Sequence, residues 1–304
     1  MESTRPNRRR FMETVGIGAA ALSLGAAGHA AGAPTAESKE NASAMKLGVV
    51  TYLMGKDMSC PELIEFCTKT GLSGVELRAT HAHGVELELS KAERGEIRQL
   101  FADSPIAIAG MGSAYEYQSK DAAEVRRNIE DSKAYAQLAA DVGASGIKVR
   151  PNRLFDDEDH EVTCERIGKA WGEVAAFAAD LGIAVRMEVH GGGGSADPKN
   201  IRKMLDHANH PNAVVCWNSN SGEQDENGDI GANFDLLKHA IGHVHITDIG
   251  VYQYPWQQLF SLLQGINYGG WCLAEVQYNP EPERFMKYYR TLFDLYTGHY
   301  RYPQ

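Results

Sequence analysis

The chain has 304 residues, 43% hydrophobic and 23% charged, which is core enough for one large domain or two small ones and excludes a disordered chain. Gly and Pro together number 42, too few for a collagen-like repeat. Thirty Lys and Arg against forty Asp and Glu give a balance of −10, which argues against nucleic acid as the main partner. No run reaches the ~18 apolar residues that a membrane span requires.

The first segment in chain order reads as an address. Asn7-Arg8-Arg9-Arg10-Phe11-Met12 leads into a weakly apolar stretch, Val15 to Ala27, followed by small residues at Gly28-His29-Ala30. A basic start, a modest apolar middle and a small-residue cleavage zone predict an export signal over residues 1–33, of the twin-arginine type. Pro34 disfavours cleavage after Ala33, so the expected site is near Ala30. Removing residues 1–33 takes away Arg5, Arg8, Arg9 and Arg10 with Glu2 and Glu13, and the balance becomes −12. Residues 34–45 are small and polar, a linker, and residues 46–304 form the expected single domain. The protein is thus expected in the periplasm or outside the cell, exported already folded. The cysteines (Cys60, Cys67, Cys164, Cys216 and Cys272) are odd in number and lack CxxC spacing, so no disulfide framework is indicated.

From residue 46 strand and helix signals alternate eight times. Apolar or β-branched runs stand at Lys46–Thr51, Gly74–Arg78, Ile106–Met111, Gly146–Arg150, Ile183–His190, Ala213–Asn218, His243–Asp248 and Trp271–Gln277. The clearest helical patterns between them are Pro61–Thr70, Lys91–Ala102, Ala122–Val142, Val162–Leu181 and Pro282–Tyr296. Ser59 and Asp121 suit N-caps, Pro61 and Pro198 suit first turns, and Gly71, Gly143 and Gly182 suit C-caps. A spacing of about 32 residues is one βα unit. Eight such units predict an α/β fold, a (β/α)₈ barrel of about 250 residues, with a doubly wound open sheet as the alternative. Gly191-Gly192-Gly193-Gly194 follows the fifth strand, where a dinucleotide fingerprint does not belong, and reads as a flexible loop.

Side chains alternate along a strand, so residues i and i+2 share a face. On strand five Val185, Met187 and Val189 oppose Arg186, Glu188 and His190; on strands two and four Glu76 and Arg78, then Lys148 and Arg150, share the polar face. Cys216 goes with Asn218, His243 with His245, and Glu275 with Gln277. Polar residues therefore gather inside the barrel near the C-terminal strand ends, where barrel enzymes keep their sites. Glu188, Asn218, His245 and Glu275 hold comparable positions on strands five to eight. Two carboxylates, an amide oxygen and an imidazole suit one divalent ion, Mn²⁺ foremost, with Mg²⁺, Co²⁺ or Zn²⁺ as alternatives. The competing reading is ordinary buried hydrogen bonds and ion pairs with Arg186 and Arg150. Trp217, Trp256 and Trp271 are candidates to stack on a sugar ring or, more commonly for such positions, to fill the core.

Several motifs together carry a resemblance. They are Gly74-Val75-Glu76-Leu77-Arg78 with Thr80-His81-Ala82-His83-Gly84-Val85-Glu86, Arg186-Met187-Glu188-Val189-His190, Cys216-Trp217-Asn218-Ser219-Asn220, His243-Val244-His245-Ile246-Thr247-Asp248 and Ala274-Glu275. Over residues 46–297 the chain resembles the xylose isomerase-like barrel superfamily, in the branch of sugar phosphate isomerases and epimerases. In the ketose epimerases of that superfamily Glu, Asp, His and Glu on strands five to eight hold the metal, which the resemblance carries to Glu188, Asn218, His245 and Glu275. Asn218 departs from the usual Asp.

Abstracting a proton next to a carbonyl leaves an enediolate whose oxygens need a cation, while carboxylates move the proton. The resemblance gives Glu188 and Glu275 the acid/base work as well as ligation. His190 is a substrate contact or orients the ligand glutamate; His81 and His83 lie on a loop at the site end and, with Lys148 and Arg150, are candidate substrate contacts. Asp248 faces away from His245 and suits a structural role. The expected activity is metal-dependent isomerisation or epimerisation of a small carbohydrate. The alternative is β-elimination from a 3-oxo-glycoside, with an endonuclease-like phosphodiesterase or a non-catalytic sugar-binding protein further behind. No nucleic-acid partner or membrane span is expected, and an oligomer is allowed.

Overall fold

A computed structural model of the protein describes residues 45–250 and 253–300; the expected export signal and linker fall outside them, save Met45. Eight parallel strands run in chain order: β1 (Lys46–Val50), β2 (Gly74–Arg78), β3 (Ala107–Glu116), β4 (Gly146–Arg150), β5 (Ala184–Glu188), β6 (Ala213–Trp217), β7 (Ile241–Ile246) and β8 (Trp271–Ala274). Each pairs with the next and β8 returns to β1, so the sheet is a closed barrel and not an open one. The helices are α1 (Cys60–Thr70), α2 (Lys91–Ala102), α3 (Ala122–Val142), α4 (His160–Ala179), α5 (Pro198–Ala208), α6 (Gly231–Leu237), α7 (Trp256–Gly265) and α8 (Pro282–Thr297).

Local signals explain the helix ends. Ser90 opens α2 with reciprocal bonds to Glu93, and Asp121 accepts from the Ala123 amide at the start of α3. Gly71 and Gly143 close α1 and α3 in the left-handed conformation. Gly182 does not close α4, which ends at Ala179 with Asp180 as its cap.

The alternation divides the interior as periodicity requires. Val75, Leu77, Ile147, Val149, Val185 and Met187 join the large core between strands and helices. Inside the barrel, Val50, Ala109 and Leu273 form a separate small cluster with Trp271 packed against it. Trp271 opens β8 and so lies at the N-terminal end of the barrel; a Cβ on Gly74 would stand 2.6 Å from its ring. Trp217 and Trp256 are buried and Trp271 is partly buried at the end of the barrel away from the candidate site, so all three tryptophans serve packing.

Strand ends differ from the sequence reading in one consistent way. β6 and β8 stop at Trp217 and Ala274, so the chain turns outward at Asn218 and Glu275. β3 instead runs on from Met111 to Glu116, with a register shift where Val75 and Glu76 face Ile108 and Gly110. The four glycines after β5 are pinned: Gly192 donates to the Asn152 carbonyl (2.8 Å) and pairs with Arg153. All five cysteines are buried and free. Among the described residues no helix is long and apolar enough to cross a membrane.

Candidate metal centre

The C-terminal ends of β5 to β8 converge on the imidazole of His245. Its Nδ1 lies 3.4 Å from Glu188 Oε1, 3.6 Å from Glu275 Oε2 and 3.2 Å from Asn218 Oδ1. One ligand atom each from Glu188, His245 and Glu275 falls within 4.8 Å of the others. Four donors around an ion at ~2.1 Å stand ~3.4 Å apart at tetrahedral edges, so the spacing fits a divalent cation. The donor set fits as well: two carboxylates bring the charge, and imidazole and amide oxygen complete a borderline-hard site. Glu188 and His245 are buried, whereas the Glu275 side chain is 24% exposed and faces the open mouth.

Behind His245 stands a carboxylate that fixes the ring. Glu76, from β2, reaches His245 Nε2 at 3.3 Å and His243 Nδ1 at 3.5 Å. A carboxylate accepting from Nε2–H leaves Nδ1 to face the cluster, the arrangement that orients metal-binding histidines. β3 makes room for it, because a Cβ on Gly112 would stand 2.9 Å from Glu76 Oε1. Burial drives the neutral ring of His243 down to about 3, with Arg186 adding to the effect. Arg186 itself lies deeper, its Nη2 bonded to Ser145 Oγ (3.0 Å).

The predicted substrate residues divide into three groups. Lys148 belongs to the centre: its Nζ donates to Glu188 Oε2 at 2.6 Å, and both side chains are buried. Burial pushes the Glu188 carboxyl up, but Lys148 and His245 outweigh it and hold Glu188 well below the usual carboxylate range. His190 adjoins the centre, half-buried, its Nδ1 without a hydrogen-bond partner. Arg150 sits at the rim, with Nη2 on Glu116 Oε1 at 2.5 Å. His81 is half-exposed, near Thr51 Oγ1 (3.4 Å) and stacked on Tyr52. Both nitrogens of His83 serve its own loop: Nδ1 accepts from the Val85 amide (3.0 Å) and Nε2 donates to the Arg78 carbonyl (2.8 Å).

Two carboxylates near the centre are not among the residues the sequence singled out. Glu116 gathers Arg150, Asn152 and Gln118 at the rim (2.5, 2.6 and 3.2 Å). Its signal was the polar alternation beyond Met111, masked by glycines. Glu223 is fully buried behind Asn218, accepting from the amides of Asn218 (2.9 Å) and Asn220 (3.0 Å) and from the Tyr254 hydroxyl (2.6 Å). Burial pushes its carboxyl up to about 8 against those donors. The Asn220-x-x-Glu223 spacing of a capping box was the available clue.

A closed eight-stranded barrel with a polar centre at its C-terminal face defines the class of (β/α)₈ barrels. Within it the chain belongs to the xylose isomerase-like TIM barrel family, whose model matches residues 64–291. Among curated proteins none matches. Among solved structures, L-ribulose 3-epimerase is similar at a TM-score of 0.71 and 15% identity, covering 84% of this chain and 95% of that one. The IOLI protein with a bound zinc atom gives 0.69 and 16%, covering 85% and 100%. 3-Keto-D-glucoside 4-epimerase YcjR from E. coli gives 0.67 and 15%, covering 81% and 99%. At these identities the likeness is one of fold.

Proposed function

We propose that the protein is a divalent-metal-dependent isomerase or epimerase of a sugar or sugar derivative, working by proton abstraction next to a carbonyl. The observation that carries this reading is the pair of carboxylates, Glu188 and Glu275, set 3.4 and 3.6 Å from one imidazole nitrogen at the barrel mouth. The epimerases among the structural neighbours support it.

Glu188, Asn218, His245 and Glu275 would hold the ion, Mn²⁺ foremost. When bound, it would supply positive charge that stabilises the developing enediolate. The protein's own groups do the rest. Glu275, exposed to the mouth, takes or returns the proton on the side open to substrate. Glu188 serves the other side, its Oε2 pinned by Lys148 so that Oε1 stays turned to the cluster. The Lys148 ammonium keeps Glu188 ionised, the form that can accept a proton, while weakening it as a base. Glu76 holds the His245 ring in place while charge moves.

Incubation in deuterated water with Mn²⁺ and D-fructose or a 3-keto-glucoside tests the reading. Deuterium at the carbon beside the carbonyl, with an epimer or isomer formed, is the expected result. Glu188→Gln and Glu275→Gln should each lower the exchange by about 10²–10⁴-fold. Full exchange in both variants would contradict the assignment, and an unsaturated product with a released alcohol would turn it to β-elimination.

We further infer export by the twin-arginine route, supported by Arg8-Arg9-Arg10-Phe11 and the weakly apolar stretch behind it. Replacing Arg8 and Arg9 by Lys should leave the protein in the cytoplasm; unchanged periplasmic recovery contradicts the inference.

A further inference from the structure

Among the described residues four cations face the barrel interior or its mouth, and two are paired with carboxylates. Lys148 binds Glu188 and Arg150 binds Glu116, while Arg186 has no carboxylate but is buried in the depth of the barrel on Ser145, away from a ligand at the mouth. The fourth is Arg78, at the C-terminal end of β2 and one alternation above Glu76. Among the described residues no carboxylate lies within 4.0 Å of its guanidinium. Its stem crosses Gly112, where a Cβ would stand 2.9 Å from Glu76 Oε1, 3.2 Å from Arg78 Cδ and 3.6 Å from Lys148 Cε. Arg78 and Lys148 are therefore neighbours, and Lys148 in turn touches Glu188.

The backbone that carries Arg78 is fixed in advance of any ligand. The Arg78 amide donates to Thr51 Oγ1 (2.9 Å), and its carbonyl accepts from His83 Nε2 (2.8 Å). This gives the buried His83 a role in fixing Arg78. Tyr52, 45% exposed, lies beside the guanidinium with Cζ 5.9 Å from the ring centre, and His81 stacks on Tyr52. The turn that follows keeps Thr80 at φ 69°, an uncommon conformation for a β-branched residue, tied by its amide to Glu86 Oε1. A strained turn and two backbone hydrogen bonds thus fix the strand end that carries Arg78, and Tyr52 stands beside a guanidinium with no carboxylate in ion-pair contact.

We propose that Arg78, walled by Tyr52 and His81, is the site for an anionic group on the substrate, so that the enzyme acts on acidic sugars. A planar fork carrying one positive charge matches a carboxylate both in shape and in charge. A phosphate dianion would ask for further donors, so the carboxylate of a sugar acid is the form the site fits. This inference rests on the sugar reading above and adds the substrate's charge.

The test is calorimetric titration of the Mn²⁺-treated protein with D-glucuronate, D-glucose 6-phosphate and D-glucose, alongside Arg78→Met and Arg78→Lys. Wild type should bind glucuronate at least about tenfold more tightly than glucose, and more tightly than the phosphate. Arg78→Met should erase that preference and Arg78→Lys keep part of it, with both variants melting as the wild type does. Tighter binding of the phosphate overturns the carboxylate assignment. Equal affinities, no binding of either acid, or a preference that survives in Arg78→Met overturns the anion site. Binding is read without turnover, so these outcomes stand apart from the deuterium exchange that judges the reaction.

Discussion

An amide oxygen carries no net charge, so Asn218 leaves the cluster with Glu188, His245 and Glu275 at −2, where an aspartate would bring −3. The Lys148 ammonium against Glu188 offsets part of even that charge. Asn218→Asp should therefore tighten Mn²⁺ binding by about tenfold or more, ~1.4 kcal/mol, as read by calorimetry. An unchanged affinity would show that the side chain is no ligand. Glu76→Gln removes the charge behind His245 while keeping the shape, and an outer-shell partner of this kind is worth about 10–100-fold in metal affinity. Affinity equal to wild type would reduce Glu76 to a packing residue. Glu188 and His245 were legible in the sequence because period-two alternation on a short strand dictates which way a side chain faces. Glu116 and Glu223 were not: Glu116 lies past the register shift of β3 and is aimed by Arg150 and Asn152, distant in the chain, while Glu223 sits in the turn after β6, where strand alternation no longer applies.

Between elements, α4 and α5 approach closely enough that glycines are needed at the contact. A Cβ on Gly168 would collide with the Met204 carbonyl oxygen, and one on Gly172 with that of Ala208. Gly168→Ala should cost ~1–3 kcal/mol in a urea melt by forcing the helices apart, and an unchanged midpoint would mean that they part freely. α3 and α4 are clipped through Glu173, which takes Arg126 (2.6 and 3.0 Å) and Lys133 (2.7 Å). Chiefly the Arg126 bonds, with Lys133, lower its carboxyl to about 2. Its contribution is therefore full above the unfolded value of 4.5 and lost as pH falls from 4.5 toward 2. Exposure limits it to under ~1 kcal/mol, so Glu173→Gln should destabilise slightly at pH 7 and not at all near pH 2, with salt shrinking the difference. A deficit that persists near pH 2 would contradict the charge account. Helices such as α2 and α3 were legible to the residue because caps and periodicity agree there. The C-terminal strand ends were misplaced because bending into a loop depends on the barrel as a whole, as at Asn218 and Glu275.

Across the molecule, barrel closure brings the supporting carboxylate Glu76 of β2 to His245 of β7. The donors of the centre stand at the ends of β5 to β8, which pair in succession, and Lys148 on β4 pairs beside them, whereas Glu76 on β2 reaches His245 from elsewhere in the barrel wall. Eight repeats were readable from spacing, but closure was not, because spacing alone also permits an open sheet. An ion bound only to the closed form stabilises the fold, by ~2.7 kcal/mol at a hundredfold excess over its dissociation constant. Mn²⁺ should accordingly raise the melting temperature of the wild type and leave that of His245→Ala where it is; an equal rise in both would place the ion elsewhere. The central claim is that these four side chains form a metal centre, and calorimetric titration of chelator-stripped protein with Mn²⁺ tests it most directly. One ion per chain is predicted for the wild type, with binding weakened by at least about 100-fold in His245→Ala and Glu188→Gln. No stoichiometric ion in the wild type, or equal binding in both variants, would contradict it.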